Sequence, residues 1–517
     1  MATRPASLED RGLFSSAVDT AAPRVFAAEL IVLIVALAAS IALYLAGGYG
    51  AVAWVAPPAL LIVLGVANWT MIRADPAALW TPLFAFRLSA LVFLGFGGIL
   101  SENISLEAQA TYLSELTYTS QEAAKVFVIW LTGVVMTLSG CFVWQRLADA
   151  RQNAAARSYQ DVRRVGSDRA EGTFQLGALF ALVGLGFAYL VRIPIELGIF
   201  PISTVPGAIS TMFDAALAVG VFLLSVWALK RGGLALALIP AVVLPASFVG
   251  LLLLTKQGVL LPMIFFGLAY LFTKITAARV AVIATLLIAA FSILQPLVSY
   301  ARNATPEGAV MDPGARLSVM AEYLGSGDQS SGSAETDFLR FGHTHVAAFV
   351  IDQHDSGMPS EELRNSLFAL VPRIVWPDKP SVTQGAADLY FLVTGREGSA
   401  LAATTFADLY WNAGWMGVLL ISPIWGILMA IATAKSVVIV RQRDWFLMPF
   451  VLLVFMIGLS QESAFTVSVF VPSAIAFIAL QLLQFGRKML PTSSGGARTA
   501  RALPQPDSSC PGYESKR

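Results

Sequence analysis

Runs of about 20 apolar residues recur along most of the chain, and each is long enough for a helix to cross a hydrocarbon core of about 30 Å. On that rule twelve spans are expected, near 25–46, 49–71, 79–100, 125–146, 173–191, 208–229, 234–254, 258–273, 280–299, 413–438, 445–460 and 465–485. Composition agrees. The 517 residues are 56% hydrophobic and only 13% charged, too little charged surface for a soluble fold. The expected class is therefore an all-α polytopic membrane protein of about twelve transmembrane helices. Its parts are a cytoplasmic N-terminus (1–24), a membrane domain of about nine spans (25–299), one large extracytoplasmic loop (300–412), the last three spans (413–485) and a disordered cytoplasmic tail (486–517). Cys141 lies in an apolar run and Cys510 in the tail, a separation that suggests neither a disulfide nor a metal site.

Charge sets the orientation. Arg73, the run from Arg146 to Arg169, Lys230-Arg231, Lys274 with Arg279, Arg441 with Arg443, and Arg487-Lys488 all fall in alternate loops. The opposite loop 101–124 holds four Glu and no Lys or Arg. The positive-inside rule puts both termini in the cytoplasm and 300–412 outside. That segment has seven Lys/Arg against fourteen Asp/Glu, net −7. Loops of this length are usually functional. Helical spacing over 338–352, and an N-cap at Ser360 followed by Glu361 and Glu362, predict short amphipathic helices lying on the membrane surface.

Several charges oppose the orientation signal. Arg192, Asp214, Lys256, Arg302 and Glu462 all belong to the outer leaflet. Polar groups at that depth mark a site by default, and single Arg or Lys residues at helix ends also snorkel to headgroups. Several outward cations at bilayer depth suit a membrane-anchored anion, because guanidinium binds phosphate through a charged fork and Lys adds a point charge. Arg87, a third of the way into its span, reads instead as snorkelling or as half of a buried pair.

Two stretches carry the most content. In "VPRIVWPDKP" (371–380), three prolines stiffen the backbone, Trp376 anchors at the interface, and Arg373 and Lys379 are held at headgroup level. In "TTFADLYWNAGWMGVLL" (404–420), Asp408, Tyr410 and Asn412 precede Gly414 and Gly417. Aromatic rings beside a carboxylate and an amide suit a sugar, with rings stacked on its apolar face and polar groups bonded to its hydroxyls. All three histidines, His343, His345 and His354, lie in the outer loop; their helical spacing argues against a metal pair.

An outer loop with "VPRIVWPDKP", followed by "FADLYWNAGWMG" at a span entry, resembles the oligosaccharide repeat-unit polymerases, the Wzy-type O-antigen and exopolysaccharide polymerases. Where that family carries a Glu, this chain has Asp408 preceded by Ala407. The resemblance implies a glycosyltransferase of the bacterial inner membrane that joins lipid-diphosphate-linked repeat units at the extracytoplasmic face. It needs no cofactor, no metal and no nucleic acid. Its expected partners are the lipid-linked oligosaccharide, a chain-length regulator and a flippase. Arg373, Lys379, Arg302, Arg192 and Lys256 are then expected on diphosphates, and Trp376, Tyr410 and Asn412 on glycan. Asp408 is the leading candidate base, followed by Glu462 and His345. An O-antigen ligase-type transferase and a lipid-oligosaccharide flippase or transporter remain the alternatives. Transporters tend to show broken helices and midplane charges.

Overall fold

The computed structural model describes residues 18–103, 118–155, 170–199, 207–303, 313–326, 342–366, 368, 371, 376, 384–394 and 401–489. Among these residues the secondary structure is helical, without strands. The long apolar helices are α1 (Val25–Leu45), α2 (Tyr49–Ala74), α3 (Pro82–Asn103), α4 (Ser120–Ala148), α5 (Thr173–Ile195), α6 (Met212–Arg231) and α7 (Gly233–Leu252). They continue with α8 (Lys256–Thr273) and α9 (Ala277–Asn303). The loop contributes α10 (Pro313–Ser326), α11 (Thr344–Asp355), α12 (Glu362–Asn365) and α13 (Gln384–Thr394). The chain returns to the bundle with α14 (Thr405–Gln442), α15 (Trp445–Glu462) and α16 (Ser468–Gln481).

Ten of these helices are long and apolar enough to cross a membrane among the described residues. The apolar parts of α8 and α16 are shorter. Leu254 at φ 52° and the extended Thr255 make a tight turn just before α8, and a π-helical turn at Thr466–Phe470 leads into the last helix.

One charge pair is buried inside the bundle. Arg87 Nε donates to Glu29 Oε1 at 2.7 Å, and a second guanidinium nitrogen meets Oε2. Both side chains are almost inaccessible, and Phe26 lies 5.0 Å from the guanidinium. The sequence reading of Arg87 as half of a buried pair is the one the fold adopts.

One segment differs from expectation in a way that positions everything else. The helix expected to begin near residue 413 begins at Thr405, and it is broken. Ala413 (φ −148°) and Gly414 (φ 58°) are non-helical, so 405–412 is a separate half-helix. Its start lies beside the middle of α4. Trp130 Nε1 donates to Thr404 Oγ1 at 2.9 Å. Gly133, having no Cβ, lets the Phe406 ring close against the α4 backbone. Those contacts are 10 and 13 residues below Ser120, about 15–20 Å along α4 at 1.5 Å per residue. Farther along, Tyr410 shares a partner with Lys125, near the top of α4. The half-helix therefore runs from mid-bundle toward the loop-bearing end. The chain then turns back at Ala413–Gly414, with Gly417 packed on the Leu409 carbonyl, and descends to Arg441, which pairs with Asp75 at the opposite end at 2.9 Å.

The loop helix α11 is also not where amphipathicity placed it. Thr344–Ala348, Val350 and Ile351 are buried in protein, so α11 packs between α4 and the half-helix and does not float on a membrane surface. Its mixed polarity served burial on two sides.

Candidate functional site

The half-helix, α11–α12 and the turn between α15 and α16 converge on one set of polar side chains. The half-helix begins under strain. Thr404 has φ 73°, a region a β-branched residue avoids at a cost of roughly 1–3 kcal/mol. The bond from Trp130 holds it there, and its carbonyl accepts the Asp408 N–H at 2.9 Å, the first helical bond. The Thr405 hydroxyl then reaches Ser460 O and Ser463 O, both at 3.2 Å.

Asp408 is buried (3% exposed). Its Oδ2 accepts the Phe465 N–H at 2.8 Å, and Oδ1 accepts from Asn412 Nδ2 at 3.2 Å. The leading candidate base therefore has both oxygens engaged: Oδ2 fastens the half-helix to the α15–α16 turn and Oδ1 holds Asn412 within it. Asn412 works in both directions. It donates to Asp408 O at 2.9 Å and accepts the Leu363 N–H through Oδ1 at 2.8 Å. Asp408 and the loop are thus joined by one amide.

The loop caps the end of the half-helix. A helix C-terminus leaves carbonyls without helical partners. Trp411 O takes the Ser360 N–H at 3.2 Å and the His354 Nδ1–H at 3.0 Å; because the partner is a carbonyl, the proton sits on Nδ1. Trp411 Nε1 returns a bond to Met358 O at 3.1 Å. Gly414 is required here twice: by its positive φ, and because a Cβ would stand 2.7 Å from His354 Nε2.

At the rim, the Tyr410 hydroxyl donates to Asp355 Oδ1 at 2.9 Å, Lys125 pairs with Asp355 Oδ2, and the ammonium lies 5.1 Å from the Tyr410 ring centroid. The Asp355 and Lys125 side chains keep 41% and 22% of their surface exposed. His354 and Trp415 stand edge-on to the same ring at 5.1 and 5.5 Å. Lys125 and Asp355 were not singled out in the sequence. The signal for Lys125 was present: like Lys256, it is a lysine near the start of a span.

Glu362 is the second carboxyl missed. Its Oε1 accepts the Ala386 N–H at 3.1 Å at the start of α13. Burial first, and then the negative charge of Asp408, push its carboxyl up to about 8, so it is protonated at neutral pH. His343 and His345 go the other way. Burial holds each imidazole down to about 4, and for His343 a bond to the Ala402 backbone partly opposes this. Both are neutral at pH 7, and the Nε2 atom of each is shielded without a partner. His345 lies edge-on to Tyr118 at 4.8 Å and is buried, not on a surface helix as its spacing suggested.

The other expected residues are placed as follows. Glu462 lies in the α15–α16 turn with Oε2 buried and unpartnered. Tyr410 and Asn412 join the cluster described above. Trp376 is 39% exposed and edge-on to Phe368 at 5.1 Å. Arg192 is bound by Asp214 through Nη1 at 2.8 and 3.0 Å, so two of the five charges expected in the outer leaflet neutralise each other. Lys256 opens α8 and Arg302 stands in the last turn of α9. Arg373 and Lys379 lie outside the described residues. The described cation that reaches the cluster is Lys125, and not Arg192.

The family described as Domain of unknown function (DUF8712) matches residues 194–439, a span that includes Lys256, the loop and the whole half-helix. No curated protein matches the chain. No solved structure matches it.

Proposed function

We propose that this multi-pass membrane protein is an extracytoplasmic polysaccharide polymerase, joining lipid-diphosphate-linked oligosaccharide repeat units in the bacterial inner membrane with both termini inside. What carries the reading is the half-helix. The residues that resemble the polymerase element, "FADLYWNAGWMG", form a broken, outward-running helix whose end is locked under the acidic loop. Few structural purposes call for a strained, polar half-helix at that depth, whereas a membrane-anchored donor meets its acceptor there.

In this reading Lys125, together with Arg373 and Lys379 of the loop and with Lys256 and Arg302, holds the diphosphates. Tyr410, Asn412, Asp355 and Trp376 contact glycan. The acceptor hydroxyl oxygen bonds to the anomeric carbon of the donor as the anomeric carbon–phosphate oxygen bond breaks. The diphosphate leaves with the electron pair, and cations stabilise it. His345, neutral with a free Nε2, takes the hydroxyl proton. Asp408 acts as a positioning residue, because its oxygens are committed to Phe465 and Asn412.

The break at Ala413–Gly414 also supports a second reading, a lipid-oligosaccharide transporter, since broken helices near buried carboxyls recur there. Deletion followed by gel analysis of surface glycan separates the two. A polymerase deletion loses the length ladder and keeps single-repeat glycan. A flippase deletion traps lipid-linked units inside, and a ligase deletion strands full-length chains on carrier lipid. A normal ladder in the deletion, or in both Lys125→Ala and His345→Ala, would remove the polymerase assignment or these two roles respectively.

A further inference from the structure

The turn between α15 and α16 collects oxygen atoms and no positive charge. Asp408 reaches into it through Phe465, and Glu462 stands three residues away in the same turn. Asp408 is buried, and so is Oε2 of the half-buried Glu462, and among the described residues no Lys or Arg pairs with either. A carboxyl in a low-dielectric interior is neutralised either by a proton or by a counter-charge.

The neighbours are acceptors as well. Gln461 Oε1, Glu462 Oε2 and Thr466 Oγ1 are shielded from solvent and have no hydrogen-bond partner. Gln461 and Thr466 are fully buried. Ser460 O and Ser463 O share the single proton of the Thr405 hydroxyl at 3.2 Å each, and Ser460 O takes in addition only the Ser463 N–H at 3.4 Å. α15 ends at this point and directs the negative end of its dipole into the turn. Unsatisfied buried groups in such numbers call for an occupant. Water would satisfy the hydrogen bonds and bring no charge. A hard cation satisfies the oxygens and brings one, and a set of one free carboxylate with carbonyl, amide and hydroxyl oxygens suits a singly charged ion. Unwound carbonyls beside broken helices bind such ions in membrane proteins.

We propose that residues 460–466, with Thr405, form a binding site for one monovalent alkali cation, which ties the start of the half-helix to the α15–α16 turn. This holds whatever reaction the chain performs.

The test uses the purified full-length chain in detergent at pH 7.5 and constant ionic strength. Thermal unfolding midpoints are compared in sodium, potassium and N-methylglucamine chlorides. The expected result is a midpoint that climbs with sodium or potassium concentration and not with N-methylglucamine. Thr466→Val, which preserves shape and charge, and Glu462→Gln should both lose that dependence. If either variant fails to fold, equilibrium binding of radioactive sodium and of rubidium, as a potassium tracer, to the wild-type chain decides, with one ion per chain expected. Midpoints that follow ionic strength or pH alone, or an alkali shift that survives Thr466→Val, would overturn the site.

Discussion

Glu362→Gln should make the protein more stable in alkali and leave it almost unchanged in acid. The wild-type carboxyl is raised from 4.5 to about 8 by burial and by Asp408. Between those values the folded chain holds a proton that the unfolded chain has released. Stability is therefore full below about pH 4.5 and is lost as pH rises through about 8. At about 1.4 kcal/mol per pH unit, that interval corresponds to roughly 5 kcal/mol lost by pH 9. Gln mimics the protonated acid and keeps an acceptor for the Ala386 N–H, but it does not titrate. The assay is thermal unfolding in detergent from pH 5 to pH 9 for both chains. The two curves should start together near pH 5 and diverge, with the variant ahead by several degrees at pH 9. Both chains should keep an acid limb. His343 and His345 are held down to about 4, so the unfolded chain takes up their protons first and stability falls below about pH 6.5. Parallel curves across the whole range would refute the buried, Asp408-facing environment assigned to Glu362.

Two further substitutions test the frame. Gly414→Ala forces a side chain into a positive-φ position 2.7 Å from His354 Nε2; strain of about 1–3 kcal/mol plus a broken cap of about 1 kcal/mol should lower the unfolding midpoint and expose the loop to protease. Arg87→Leu leaves Glu29 buried without its partner and should destabilise by roughly 3–5 kcal/mol, while Arg87→Leu with Glu29→Leu should recover most of that loss; equal damage in single and double variants, read as detergent-solubilised yield and midpoint, would contradict the pair.

Much of the fold could be read from hydropathy, because a bilayer constrains helix length more tightly than any soluble core does. The apolar runs placed the long helices within a few residues, and the position of Arg87 foretold its burial. The half-helix was missed for a definite reason. "FADLYWNA" is too short and too polar to register as a span, and its burial depends on partners 55 and 57 residues away in the chain, Asp355 and Phe465. Asp408, Tyr410 and Asn412 were singled out by residue type; Asp408 and Asn412 bond each other, while Tyr410 bonds Asp355. Asp408's role as a fastener required knowing which backbone N–H groups face it. Lys125 and Glu362 escaped because neither stands in a motif; one ends a span and the other follows an N-cap. Periodicity recognised α11 as a helix but misjudged its exposure, since amphipathic spacing is the same for a helix on a membrane and for one wedged between two helices.

The tie from Asp408 to Phe465 also fixes an order of events during synthesis. The half-helix leaves the ribosome 57 residues before the backbone group that satisfies its carboxyl. Until α15 has been made, the half-helix has no turn to grip, and Asp408 keeps only the bonds within its own half-helix. The segment 405–412 can therefore reach its final contacts only after α15 and the start of α16 have been made. Membrane insertion of this chain is consequently not a simple succession of hairpins. Its polar centre is completed only when the α15–α16 turn is in place, and a chain truncated before Phe465 would lack the N–H that Asp408 Oδ2 accepts.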